Sequence, residues 1–251
     1  MTRPATPGLA LGGLPVLAAA GLAVWVAKLL GVRRGVGRAA RFWSVPQGEA
    51  GGLLYVALGD STAQGVGASR PERGYVGLLA RRLCERTGAA VQVVNLSRSG
   101  ARLEDLLTHQ LPRLAALRPD LVTVGIGGND LLADDACTYA QQVRALTAAL
   151  PRGTVVADAP YLMHGHWERD AVRAADVLTR SARGQDLVVV PLHDALRREG
   201  WSAMATQFAA DFFHPNDRGH RVWAEAFWGG VLRAPVAARL RTPTRGRRPA
   251  R

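Results

Sequence analysis

Five short apolar runs punctuate the middle of the chain: LLYVAL (53–58), VQVVNL (91–96), LVTVGI (121–126), TVVADA (154–159) and LVVVPL (187–192). Each is rich in valine or leucine, largely continuous rather than alternating, and bounded by turn residues. Such runs predict parallel strands buried on both faces. Between them the periodicity turns helical, over about Gly74–Arg86, Leu103–Leu117, Tyr139–Leu150 and Trp167–Arg183, with a last helix at about Arg218–Leu232. Strand–helix alternation of this kind predicts an α/β domain over 53–233, a three-layer α/β/α sandwich around a five-stranded parallel sheet. Its functional residues should gather at the carboxyl ends of the strands.

The two ends of the chain follow different patterns. Leu9–Ala27 contains no charged residue and approaches the length needed to cross a bilayer, which predicts a membrane anchor within residues 1–30. Gly12, Gly13, Pro15 and Gly21 would weaken a soluble helix but are tolerated in a span. Lys28, Arg33, Arg34, Arg38 and Arg41 follow the segment closely and would hold the domain on the cytoplasmic side. The competing expectation is a cleaved signal peptide and export. Residues 31–52, rich in Gly and Arg, read as a juxtamembrane linker, and 234–251 as a disordered basic tail.

Charge changes the picture only once it is divided. The whole chain carries a formal +12, of which +5 lies in residues 1–50 and +6 in 234–251, leaving +1 on the body. A nearly neutral body argues against a nucleic-acid partner. Cys84 and Cys137 form no disulfide framework and read as small buried apolar residues. No Cys/His cluster has zinc spacing.

The chemistry sits where the sheet predicts it. Gly59-Asp60-Ser61 follows the first run, Ser97-Arg98-Ser99-Gly100 the second, and Gly127-Gly128-Asn129-Asp130 the third; Asp211-Phe212-Phe213-His214 precedes the last helix. A serine hydroxyl needs a neighbouring base to become a nucleophile. That base is usually oriented by a carboxylate, and the developing oxyanion needs fixed hydrogen-bond donors. Ser61 as nucleophile, His214 as base and Asp211 as its orienter meet the first two requirements. The N–H groups of Ser61 and Gly100 and the amide of Asn129 meet the third. Asp130 reads as a loop-stabilising carboxylate, and His193 as a minor rival for the base.

These blocks, GDSTAQG (59–65), SRSG ending at Gly100, GGND (127–130) and DFFH (211–214), resemble in kind and order those of the SGNH hydrolase superfamily, the GDSL esterases and lipases. The resemblance covers about 53–230. It implies a flavodoxin-like fold, ester hydrolysis through an acyl-enzyme, and the roles given above for Ser61, Gly100, Asn129, Asp211 and His214. Thr62 stands where the family typically has leucine. No metal or organic cofactor is implied. The expected substrate is a small-molecule or lipid ester, with Tyr161, Met163, Trp167, Phe212 and Phe213 as candidate walls of an apolar pocket. An acyltransferase, a thioesterase or lysophospholipase on the same site, and a non-catalytic membrane-tethered binding module are the alternatives.

Overall fold

Along β1 (Leu53–Gly59), Tyr55 and Ala57 point into one apolar cluster, while Val56 and Leu58 point into another on the opposite face. A strand that must bury both faces has no polar side to show, which is why it reads as a continuous run. The computed structural model describes residues 13–133, 136–163 and 165–240; side chains at 13–21 and 136–137 fall outside the description.

α1 (Gly13–Phe42) precedes β1; α2 (Tyr75–Thr87) and β2 (Val91–Asn95) follow it. α3 (Leu103–Asp105) leads through a π-helical turn (Leu106–Gln110) into α4 (Leu111–Ala115) and β3 (Leu121–Gly125). Then come α5 (Gly128–Leu131), α6 (Ala136–Ala149), β4 (Val155–Ala157), α7 (Gly165–Ala182) and β5 (Val188–Val190). α8 (Leu192–Arg198), α9 (Ala203–Thr206), α10 (Asp217–Val231) and α11 (Ala237–Leu240) complete the described chain.

Among the described residues the strands form one parallel sheet in the order β2-β1-β3-β4-β5. α2, α10 and α11 cover one face through Leu79, Leu83, Phe227, Val231 and Leu240. α6 and α7 cover the other through Val143, Leu146, Ala174 and Leu178. The register pairs Ala57 with Asn95 and Gly59 with Gly125. The carboxyl ends of β1, β2 and β3 therefore lie side by side, and the three candidate loops leave the sheet as neighbours.

Both ends of the chain depart from expectation. The segment read as a linker from residue 31 continues α1 as far as Phe42. Gly31, Gly35 and Gly37 cost the helix up to ~1 kcal/mol each. Tertiary contacts offset this: Ala39 and Trp43 are buried, Trp43 Nε1–H donates to Gln64 O at 3.0 Å, and Arg38 donates to Ser69 O at 3.3 Å. At the other end, Ala234, Val236, Ala237 and Leu240 are buried in the core, so the folded body extends past the expected boundary at 233. Residues 241–251 lie outside the described chain. None of the described helices is long and apolar enough to cross a membrane, and the expected anchor, Leu9–Ala27, lies partly outside the described residues. Cys84, expected to be buried, is exposed. It follows Leu83, which belongs to the buried stripe of α2, and is turned about 100° away from it. The Cys137 side chain lies outside the described residues.

Candidate active site

Ser61 sits two residues beyond the end of β1 and is buried. The chain folds back at once, because Val66 N–H donates to Ser61 O at 3.0 Å and Gln64 N–H to Asp60 O at 3.2 Å. The return path must pass against the segment before α10, and Gly67 makes this possible. Its φ is +91, and a Cβ there would lie 2.3 Å from Pro215 O and 2.8 Å from His214 Cβ. His214 Nε2 lies 2.8 Å from Ser61 Oγ, and His214 Nδ1 lies 2.6 Å from Asp211 Oδ2. The Asp211–His214 segment is a tight turn in which Asp211 Oδ1 accepts from the N–H groups of Phe213 and His214 at 3.1 and 3.0 Å. Burial pushes the Asp211 carboxyl up, but these bonds and the imidazole outweigh it and hold it below the usual carboxylate range. Asp211 is thus an anion fixed against one ring nitrogen while the other faces the serine.

The candidate oxyanion donors occupy the adjoining loops. Gly100 has φ +78, and a Cβ there would meet no atom within 4 Å, so its backbone borders open space. Among the described residues, no acceptor is assigned to the N–H of Ser61 or of Gly100. Asn129 Nδ2 donates to Ala101 O at 2.9 Å. That bond orients the side chain and leaves the second amide hydrogen free to donate.

Several buried polar side chains lock these loops together. Gln64 donates to Ser97 O at 2.9 Å and accepts from Ser99 Oγ at 2.6 Å, joining the serine loop to the Gly100 loop. Both Asp130 oxygens accept from Leu103 N–H at 3.2 Å, so this residue braces the loop, as its place in the sequence suggested. Gln110, which sequence reasoning missed, makes a two-way pair with Gly59: its Oε1 accepts from Gly59 N–H at 2.9 Å and its Nε2 donates to Gly59 O at 2.8 Å. A glutamine in line with the leucines of an amphipathic helix was the available signal. Asp60 accepts from Thr62 N–H at 2.8 Å, and burial pushes its carboxyl up to about 6. Burial likewise raises Asp130 to about 6.

Two other histidines are engaged elsewhere. His193 Nε2 meets Glu168 Oε1 at 2.8 Å, and its N–H donates to Asp158. His220 is fully buried, with one ring nitrogen 3.3 Å from Tyr75 N and the other 3.1 Å from Val66 O. Among the described residues, no group of three His, Cys, Asp or Glu side chains is placed to hold a metal ion.

A cavity of about 230 Å³ opens beside the serine and histidine. It is bordered by Asp60 and Thr62, which flank Ser61, and by Phe213 and Pro215, which flank His214. The expected wall residues Tyr161, Met163, Trp167, Phe212 and Phe213 all line it. Met163 and Phe212 adopt left-handed conformations, with φ of 63° and 53°. Such conformations cost ~1–3 kcal/mol and persist only where the surroundings impose them.

Solved structures similar to this chain share its fold. They include LAE5, an α/β hydrolase enzyme from the metagenome of Lake Arreo in Spain, at 23% identity and a TM-score of 0.59, covering 72% of this chain and 96% of that one. A variant of Axe2, an acetyl xylan esterase from Geobacillus stearothermophilus, gives 23% identity and a TM-score of 0.60, covering 71% of this chain and 94% of that one. TesA gives 26% identity and a TM-score of 0.58, covering 71% of this chain and 97% of that one. No curated protein matches the chain. The model of the GDSL-like lipase/acylhydrolase family matches residues 57–222, a span that begins within β1 and ends within α10. With that match over most of its length, the chain belongs to the GDSL-like lipase/acylhydrolase family and is a carboxylic-ester hydrolase.

Proposed function

We propose that the chain hydrolyses esters through an acyl-enzyme on Ser61. The observation that carries this reading is the hydrogen-bonded series from Ser61 Oγ through both ring nitrogens of His214 to Asp211, with steps of 2.8 and 2.6 Å. Ser61 Oγ attacks the ester carbonyl carbon as its proton passes to His214 Nε2, and the carbonyl electron pair moves onto oxygen. The N–H groups of Ser61 and Gly100 and the free hydrogen of the Asn129 amide would receive that oxyanion. The C–O bond to the alcohol then breaks, and the alcohol leaves with the proton from His214. Water enters, gives a proton to His214, and releases the acid from Ser61 by the same steps in reverse. Asp211 keeps the imidazole in the tautomer that accepts at Nε2.

The cavity supports an apolar acyl group of moderate size. The uncharged segment Leu9–Ala27 and the basic residues after it support attachment to a membrane, with the catalytic domain on the cytoplasmic side. Turnover of p-nitrophenyl butyrate by the full chain tests the mechanism. Ser61→Ala should reduce it to the uncatalysed background with the circular dichroism spectrum unchanged. A variant that still turns over at the original rate removes Ser61 from the reaction.

A further inference from the structure

The apolar surface of the cavity continues beyond its mouth. Met204, Phe208 and Phe212 line the cavity and also border a groove against α1, where they meet Trp25, Val32 and Ala210. Trp25 Nε1–H donates to Ala210 O at 3.1 Å, one residue before Asp211. The wall that carries the triad carboxylate is therefore tied to a residue of the uncharged segment Leu9–Ala27.

Two further observations bear on what covers this region. On α1, Leu22, Val26 and Leu30 recur every fourth residue and are exposed, Leu22 at 60%. Their spacing makes one stripe, on the side of the helix away from Trp25, Lys28 and Gly35 in the groove. Around the mouth, Phe212 is 56% exposed, and Phe213, Trp167 and Leu132 are also exposed. Trp201, two residues before the cavity-lining Ala203, is 71% exposed. Single exposed apolar residues are ordinary, but an apolar rim continuous with an apolar helix marks an interaction site. Lys28 lies on the groove side of α1 and Arg33 and Arg34 in the turn after Leu30, whereas the body of the protein is nearly neutral. The apolar stripe, Trp167 at the rim, the exposed Trp201 close to it in sequence and the basic residues of the same helix together match the chemistry of an anionic bilayer surface.

We propose that the mouth of the cavity docks on an anionic lipid leaflet, with α1 carrying it there through the Trp25–Ala210 contact, and that the ester enters from the lipid. The proposal rests on the ester-hydrolase reading and extends it to substrates dissolved in a membrane. Trp25 belongs both to the apolar segment and, through Ala210, to the groove continuous with the cavity, and this contact is what would hold the mouth close to the bilayer when that segment meets lipid.

The test uses the full chain with Trp201→Cys in a Cys84→Ser, Cys137→Ser background, carrying a fluorophore at position 201. It is mixed with phosphatidylcholine vesicles, with and without phosphatidylglycerol, that contain a phospholipid with a nitroxide at headgroup depth. The expected result is flotation with the vesicles, stronger with phosphatidylglycerol, and quenching of the fluorophore. Leu22→Glu, Val26→Glu and Leu30→Glu combined should weaken vesicle binding by at least ~10-fold and lower turnover of a vesicle-dissolved ester in parallel, while p-nitrophenyl acetate turnover is unchanged. A fluorophore that stays unquenched on floating protein overturns the proposal. So does a dimer in lipid-free buffer that shields position 201 from aqueous iodide, since a second copy then covers the surface. Turnover of p-nitrophenyl acetate in the same samples separates the two readings. An unquenched label with normal turnover defeats docking alone, and a quenched label without turnover defeats hydrolysis alone.

Discussion

Asp60→Asn should change how the stability of the protein depends on pH, by an amount that follows from burial. In the unfolded chain the carboxyl titrates at its ordinary 3.8; in the fold, burial against the serine loop raises it to about 6. Between these values the folded state holds a proton that the unfolded state has released, so stability falls as pH rises through that window. At about 1.4 kcal/mol per pH unit, ionising Asp60 inside the fold costs about 3 kcal/mol by pH 7. His220 acts in the opposite sense. Burial lowers it from 6.5 to about 4, so the unfolded state binds the extra proton and stability is lost as pH falls through that range. The two effects are of similar size and opposite sign, and Asp130 adds to the first, so the profile of the unmodified protein alone isolates none of them.

The amide of Asp60→Asn keeps an acceptor for Thr62 N–H, which donates to Asp60 Oδ1 at 2.8 Å, and it cannot ionise. Relative to the unmodified protein, the variant should gain about 3 kcal/mol between pH 4 and pH 7, measured by urea denaturation of the full chain followed through tryptophan fluorescence. A stability difference that stays constant across that range would refute the reasoning, whatever its sign.

Asn129→Ala should lower kcat by ~10²–10³-fold with little change in KM, because the oxyanion loses a donor that acts only as charge develops; steady-state kinetics on a soluble ester checks this. Asp211→Asn should lower kcat by ~10⁴-fold, as the imidazole loses the partner that sets its tautomer, with the residual rate rising at alkaline pH. Gln110→Leu should destabilise the fold by about 1–3 kcal/mol, since it leaves the buried N–H of Gly59 without its acceptor, and thermal denaturation reads that loss.

What was legible in the sequence was whatever burial makes one-dimensional. Tyr55 and Val56 face opposite clusters, so β1 reads as a solid apolar run; Ser61 and Asn129 stand just past such strands, and His214 just before the amphipathic helix α10. The strands nearer the β5 edge are shorter than their runs. Asp158 ends β4 by turning its carboxylate to the N–H groups of Ala159 and His193, and Pro191 ends β5 so that Leu192 opens a helix rather than closing a strand. The helix expected over Leu103–Leu117 is real but interrupted. Its π-helical turn ends at Gln110, the residue that reaches Gly59, and single-turn π segments of this kind carry no periodicity signal. α1 ran past its expected end for a related reason. Glycine and arginine from Gly31 onward look like linker, and only the partners of Arg38 and Trp43, remote in sequence, keep them helical.

The most direct measurement is covalent labelling of the full chain with a fluorophosphonate, followed by mapping of the modified peptide. Modification at Ser61, abolished in His214→Ala at the same protein concentration, is the result expected of a hydroxyl activated by that imidazole. Folded, ester-hydrolysing protein that labels at a different residue, or at none, would contradict it.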